Sequence, residues 1–203
     1  MTRRFYIHPE DPQQRLLEQA ARMLEKGGII ALPTDAAYTL GCHMGDKAAL
    51  DRIRQMRHLP KDHLFTLLCK DLADIATYAK LNNQQFRFLK AHTPGPYTFI
   101  LQATKEVPKR LQNPKRRTVG IRVPDNKITH ALLGLLDQPL MTATCKSIGM
   151  DNPYTDPEDI YEAFEDQFDA LIIGENGTID PTTVIDMVES EPTLIRQGLG
   201  ILK

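Results

Sequence analysis

The sequence predicts an α/β fold: an open, twisted, mixed β-sheet with helices on both faces. Three observations carry that expectation. Segments with helical periodicity alternate along most of the chain with short apolar runs rich in β-branched residues. Several of those runs are apolar at every position, as in strands covered on both sides. The connections at 174–182 and 188–192 hold no helix, so some neighbouring strands must run antiparallel.

The elements follow in order. Residues 12–27 form an amphipathic helix, with Leu16, Leu17, Ala20, Ala21, Met23 and Leu24 on one side. Asp11 is placed to cap it, Pro12 suits the first position, and Gly27 ends it. GIIAL at 28–32 is a buried strand between Gly28 and Pro33. A helix over 47–57 buries Ala49, Leu50, Ile53 and Met56, and LFTLLC at 64–69 is the next strand. Helices are expected at 71–79, 83–91, 127–136 and 157–165. Strands are expected at 97–103, 118–123, 139–144, 170–174, 182–187 and 193–197. No repeat or low-complexity linker divides the 203 residues, so one domain spans 1–203.

Composition narrows the class. Apolar residues are 41% and charged residues 25% of the chain, ordinary for a globular domain. No run of about 18 apolar residues proposes a membrane span, and the N-terminal MTRRFYIHPEDPQ is too polar for a signal peptide. Cys42, Cys69 and Cys145 are an odd number without a close pair. They point to buried thiols in a reducing compartment, hence a cytoplasmic protein. The net charge of −1 conceals a split: residues 1–150 hold 23 Lys/Arg and 13 Asp/Glu, residues 151–203 hold 2 and 13. That split reads either as two solvated surfaces or as a basic functional face with an acidic segment packed elsewhere.

The standard nucleotide loops GxxxxGK[ST] and GxGxxG are absent, as are CxxC, HExxH and GxSxG. His8, His43, His58, His63, His92 and His130 are scattered, so no metal site is expected. Chemistry points instead to residues at strand ends. PTDAAYTLG (33–41) places Thr34, Asp35 and Tyr38 where open α/β sheets line a crevice, although Thr34 or Asp35 could equally cap a local turn. TPGPYTFIL (93–101) delivers Thr98 from a stiff corner, or is simply a turn. In TVGIRVPDN (118–126), Arg122 interrupts an apolar strand. It needs an anion, either an acidic side chain from beyond residue 150 or a ligand phosphate or carboxylate.

PLMTATCKSIG (139–149) ends in hydroxyls at Thr142, Thr144 and Ser147 beside Lys146, and Arg196 interrupts LIRQGLG (194–200). Two basic stretches, 52–63 and 105–122, have the footprint of a phosphate-backbone surface or of a solvated one; the second carries Lys109, Arg110, Lys115, Arg116 and Arg117.

In order, PTDAAYTLG, IRQMRHLPKDHLFTLL, TPGPYTFIL, TVGIRVP, PLMTATCKSIG, PTTVIDM and LIRQGLG resemble the YrdC/YciO family of threonylcarbamoyl-AMP synthase-like proteins, over residues 33–200. FTLL, TPGPYTFIL, TKEVPKRL and PTTVID resemble its YciO branch. The resemblance implies a large concave, basic cavity. It implies L-threonine, bicarbonate and ATP, with Mg2+ on the triphosphate, as substrates for threonylcarbamoyl-adenylate and pyrophosphate, serving t6A modification of tRNA. It also implies binding of double-stranded RNA or tRNA. Carried over by position, Thr34, Tyr38, Arg57, Thr98 and Arg122 would contact substrate, and Thr142, Thr144, Thr183 and Arg196 nucleotide.

Synthases of the family carry KxRP and a Ser-Ala-Asn-x-Ser-Gly corner. This chain has Met56-Arg57-His58-Leu59 and Thr144-Cys145-Lys146-Ser147-Ile148-Gly149 at those places. If each lost contact is worth about 1.5–3 kcal/mol, synthesis slows by several tenfold factors. The alternative expectation is an RNA-binding protein without efficient synthesis.

Overall fold

The computed structural model describes residues 1–189 and 191–202. Ten strands of those residues form one sheet: β1 (Arg3–Tyr6), β2 (Ile30–Leu32), β3 (Thr39–His43), β4 (Thr66–Leu68), β5 (Tyr97–Gln102), β6 (Thr118–Arg122), β7 (Leu140–Thr144), β8 (Ala170–Ile173), β9 (Thr183–Asp186) and β10 (Thr193–Arg196). Six α-helices accompany them: α1 (Gln14–Glu25), α2 (Lys47–Met56), α3 (Leu72–Tyr78), α4 (Asn83–His92), α5 (Lys127–Gly134) and α6 (Pro157–Phe164). The strand order is β1-β8-β2-β3-β7-β4-β6-β5-β9-β10. β8 runs parallel to both β1 and β2, as β4 does to β6 and β5 to β9, while the other five pairings are antiparallel. The sheet is mixed and open.

Side-chain alternation sorts the core into two layers. On one face Leu67, Phe99, Leu101, Val119, Ile121, Met141 and Ile185 pack with α2, α3, α4 and α6 through Leu50, Ile53, Ile75, Leu89, Ile160 and Phe164. On the other, Phe5, Ile30, Leu32, Ala170 and Ile172 pack under α1 and α5, joined by Leu68 and Leu140. α1 buries Leu17, Ala20, Ala21 and Leu24, the helical repeat expected of a one-sided helix. This second layer covers the β1-β8-β2 end of its face and reaches β7 and β4 only at Leu140 and Leu68. Further along, the same face carries hydroxyls, glycine and arginine, and there the sheet floors a cavity.

Two strands went unread in the sequence. β1 is an edge strand whose burial pattern shows one buried residue, Phe5, among polar neighbours. β3 continues from the Thr34 turn directly into Thr39–His43, and pairs antiparallel with β2 as a hairpin. The start of α1 also differs. Its N-cap is Gln13, which gives no side-chain cap bond because its Oε1 accepts from the His8 amide, 3.0 Å away. Gly27 does follow the helix, at φ +83°, where a side chain would be strained. The other helices cap as short polar residues do: Asp46, Asp71, Asn82, Asn126 and Asp156 each accept a first-turn amide.

Candidate functional site

The cavity encloses about 660 Å³ and is floored by β3, β7, β4, β6, β5 and β9. The strand register lays out the floor as rows. One row reads Gly41, Thr142, Thr66, Gly120, Ile100 and Asp186 on successive strands. The next reads Arg122, Thr98, Val184 and Arg196 on β6, β5, β9 and β10. At roughly 4.8 Å per strand, Arg122 and Arg196 stand about 14 Å apart across the floor. Threonines at 39, 66, 98, 118, 142, 144 and 182 add hydroxyls around them. All but Thr182 sit one residue from a buried apolar residue, so the strand that buries Phe99 must present Thr98 and Ile100 to the cavity. Gly120 leaves the middle of the floor bare; a Cβ there would stand 3.5 Å from both Thr66 Oγ1 and Thr98 Cγ2.

The walls supply charge. Arg122 is buried and its Nη2 pairs with Asp35 Oδ1, while Arg122 Nε and Asp35 Oδ2 are left without partners. Burial pulls the Arg122 pKa down and Asp35 opposes that pull, so the guanidinium remains charged. Arg57, just past α2, donates from Nε to the Thr144 carbonyl at 2.7 Å, which turns the rest of its guanidinium toward the cavity. Arg196 is fastened to the Thr182 carbonyl from Nε at 3.2 Å and Nη2 at 2.9 Å. Thr182 and Thr98 share a hydroxyl–hydroxyl bond of 2.8 Å. Arg116 pairs with Asp186 at 2.7 Å, and Lys146 Nζ donates to the Asp151 carbonyl at 2.6 Å. Burial lowers the pKa of Arg57 and Arg196, without discharging either.

Five Arg/Lys side chains therefore line the cavity against one Asp, with Asp35 and Asp186 behind two of them. Such a surface favours a ligand with several negative charges. Oriented hydroxyls can then bond its oxygens.

The residues singled out in the sequence divide. Arg57, Thr98, Arg122, Thr142, Thr144 and Arg196 meet in this cavity. Thr34, Tyr38 and Thr183 are not among its lining residues. Thr34 Oγ1 donates to the Ala37 carbonyl and accepts from the Ala36 amide, which makes it the local turn residue. Tyr38 is fully buried and its hydroxyl donates to the Ile172 and Glu175 carbonyls; burial raises its pKa steeply. Thr183 donates to the Gly200 carbonyl at 2.6 Å and accepts from the Gly198 amide at 2.9 Å, tying the C-terminal segment to β9.

For Arg122, the acidic partner is Asp35 rather than a residue beyond 150. Of the basic loop, Arg116 lines the cavity and Arg110 donates to the Gly45 carbonyl, while Lys109, Lys115 and Arg117 are exposed nearby in sequence. Lining residues not picked out in the sequence include Thr39, Thr66, Thr118 and Asn113. Their signal was position: Thr39, Thr66 and Thr118 each open a strand and are followed by a buried apolar residue, Leu40, Leu67 and Val119.

A family model described as Sua5_yciO_yrdC, telomere recombination, matches residues 22–198. An uncharacterized Haemophilus influenzae protein is 50% identical over 98% of this chain and 97% of its own. The crystal structure of Escherichia coli YciO is 47% identical, superimposes with a TM-score of 0.95, and is covered over 98% of its length. Sua5 of P. abyssi complexed with L-threonine is 26% identical, with a TM-score of 0.88 over 97% of this chain and 58% of that one.

Proposed function

The chain belongs to the Sua5/YciO/YrdC family, and from that membership we propose that its cavity binds ATP and L-threonine and makes threonylcarbamoyl-adenylate from them and bicarbonate. One observation carries the reading: arginines and threonines from strands far apart in sequence share one cavity of nucleotide size. Sua5 of P. abyssi, with L-threonine in the same fold, supports threonine as the amino acid. The reaction needs positioning and charge neutralisation rather than a protein nucleophile. Threonine's nitrogen takes up bicarbonate as a carbamate, and a carbamate oxygen displaces pyrophosphate from the α-phosphorus. Arg57, Arg122 and Arg196 counter the phosphate and carboxylate charge, and Thr98, Thr142 and Thr144 donate to the oxygens. Mg2+ arrives on the triphosphate as part of the substrate; among the described residues no cluster of three His, Cys, Asp or Glu would hold it independently. With Met56 and Lys146 in place of the family's lysine and asparagine, the proposed turnover is slow.

A second reading rests on Lys105, Lys109, Arg110, Lys115 and Arg117, all exposed around the short 3-10 turn at Lys109–Leu111 with Glu106 as the only acid among residues 105–117. That surface suits the phosphate backbone of an RNA. Among the described residues no helix is long and apolar enough to cross a membrane, and three buried free thiols fit the cytoplasm.

The test is calorimetric ATP titration with and without threonine, beside threonine- and bicarbonate-dependent pyrophosphate release. The synthase reading expects ATP binding that Arg196→Ala weakens at least tenfold, and release above background. ATP binding absent, or no release with salt-sensitive RNA binding intact, overturns it in favour of the second.

A further inference from the structure

His63 faces the cavity between α2 and β4, on the short loop that leads into the floor. The chain enters β4 through Asp62-His63-Leu64. The ring packs edge-on to Phe65, with centroids 5.2 Å apart, and Arg54 lies over the same phenyl ring. Arg54 acts on it from α2, Arg57 from just past that helix and Asp62 from its own loop, and Lys146 and Asp151 share the cavity with it. No hydrogen bond from a described residue shifts its titration; burial, then the two guanidiniums, hold its pKa below 6.5, and Asp62 offsets them only in part. At neutral pH the ring is therefore an uncharged acceptor in a cationic pocket.

Arg57 spends its Nε on the Thr144 carbonyl, lines the same cavity as His63 and is close enough for its charge to act on the ring. An amino acid whose carboxylate sits on Arg57 carries its ammonium only one carbon away, inside the cavity that the imidazole also lines.

We propose that His63 is a catalytic residue whose imidazole takes the proton that the amino acid's α-ammonium must lose before its nitrogen bonds to the bicarbonate carbon. The proposal rests on the synthase reading above and adds a base to it. In balance, the ammonium and bicarbonate give the N-carboxylate, one water and one proton. The nitrogen loses two protons: one leaves with bicarbonate's hydroxyl as water, and the other passes to His63 and then to solvent. The electron pair freed on nitrogen forms the new N–C bond. The carbamate then displaces pyrophosphate as before, with no further proton to place.

The experiment compares wild type with His63→Gln from about pH 6 to pH 9. The expected result is ATP binding within threefold of wild type by calorimetry, and threonine-dependent pyrophosphate release about 100-fold slower at neutral pH. The deficit should narrow by about tenfold per pH unit as the amine deprotonates unaided. Should His63→Gln fail to unfold cooperatively, His63→Asn is measured in the same way. Equal rates, or a deficit that does not change with pH while ATP binding is intact, overturns the role of His63 alone. Wild type that binds ATP yet releases no pyrophosphate with threonine overturns the synthase reading, and this proposal with it.

Discussion

Replacing Asp35 by alanine isolates the charge at the centre of the cavity. Asp35 and Arg122 keep only 11% and 9% of their side-chain surface, so water reaches neither charge except at the cavity edge of Arg122. Each also has an atom without a partner, Asp35 Oδ2 and Arg122 Nε, so the pair is only half satisfied. Asp35→Ala leaves a buried guanidinium with no counter-charge. Removing one partner of a buried pair costs about 3–5 kcal/mol. Because Arg122 borders a cavity that admits water, the low end applies, about 3 kcal/mol.

In a domain of this length each kcal/mol moves Tm by about 2–4 °C, so Tm should fall by about 6–12 °C. Thermal and urea unfolding measure it. Arg122→Ala strands the carboxylate instead, and the double variant should recover about 1.5–3 kcal/mol relative to the summed singles. A polyanion replaces the missing charge, so saturating ATP should raise Tm more in Asp35→Ala than in wild type. A single variant melting within 2 °C of wild type, or two strictly additive singles, would refute the claim that these two buried charges depend on each other.

Four further outcomes follow from the same geometry. Gly120→Val should fold with stability within about 1 kcal/mol of wild type, since its Cβ would make ordinary contacts, yet lose at least tenfold in ATP affinity as the side chain fills the floor; calorimetry reads both. Thr183→Val should cost about 1–3 kcal/mol in urea unfolding by stranding the Gly198 amide and freeing the C-terminal segment. Native protein should react slowly with a thiol reagent and yield three thiols once unfolded. Burial pushes Cys42 up to about 12 and raises Cys69 and Cys145 well above the ordinary thiol value, which withholds the reactive thiolate.

The fourth is a pH dependence at Asp186. Burial alone would raise its pKa, but the Arg116 bond, the Val188 amide and the Arg116 charge outweigh it, so the folded carboxyl titrates below its ordinary value. Its contribution is present above the unfolded pKa and is lost as pH falls through the folded one. Arg116→Ala should therefore flatten the acid limb of a stability–pH curve; an unchanged limb would remove Asp186 from it.

Much of this architecture was legible because periodicity and burial coincide. Every expected helix is present within two or three residues, and so is every expected strand, since each apolar run had one layer to meet. β1 escaped because an edge strand with one buried residue carries almost no period-two signal. The Asp11 cap failed because His8 and Gln13 close the turn one step further on. At the site, Arg122 stood out as a charge in an apolar strand, but its partner, 87 residues away, could not be read from spacing. Thr34, Tyr38 and Thr183 have the residue types of ligand contacts; the Thr34 hydroxyl closes the local turn that the sequence also allowed, while those of Tyr38 and Thr183 are taken by backbone groups that only the folded chain brings near.

The opposed charges of the two chain segments explain why the cavity stays basic. The acidic segment does not neutralise it. Glu158 goes to Arg4, Asp169 to Arg52 and Asp186 to Arg116, and only the last of those arginines lines the cavity. Two of the three bridges therefore sit at the β1–β8 side and its flanking helix, away from the hydroxyl-bearing strands. Arg57, Arg196 and Lys146 bind backbone carbonyls, which orient a cation without cancelling its charge. A fold that aimed only at stability would pair those cations with carboxylates, which the same chain has in excess beyond residue 150. Holding them on carbonyls keeps their positive charge available to a ligand, and the alternating strands beneath supply the hydroxyls that such a ligand's oxygens require.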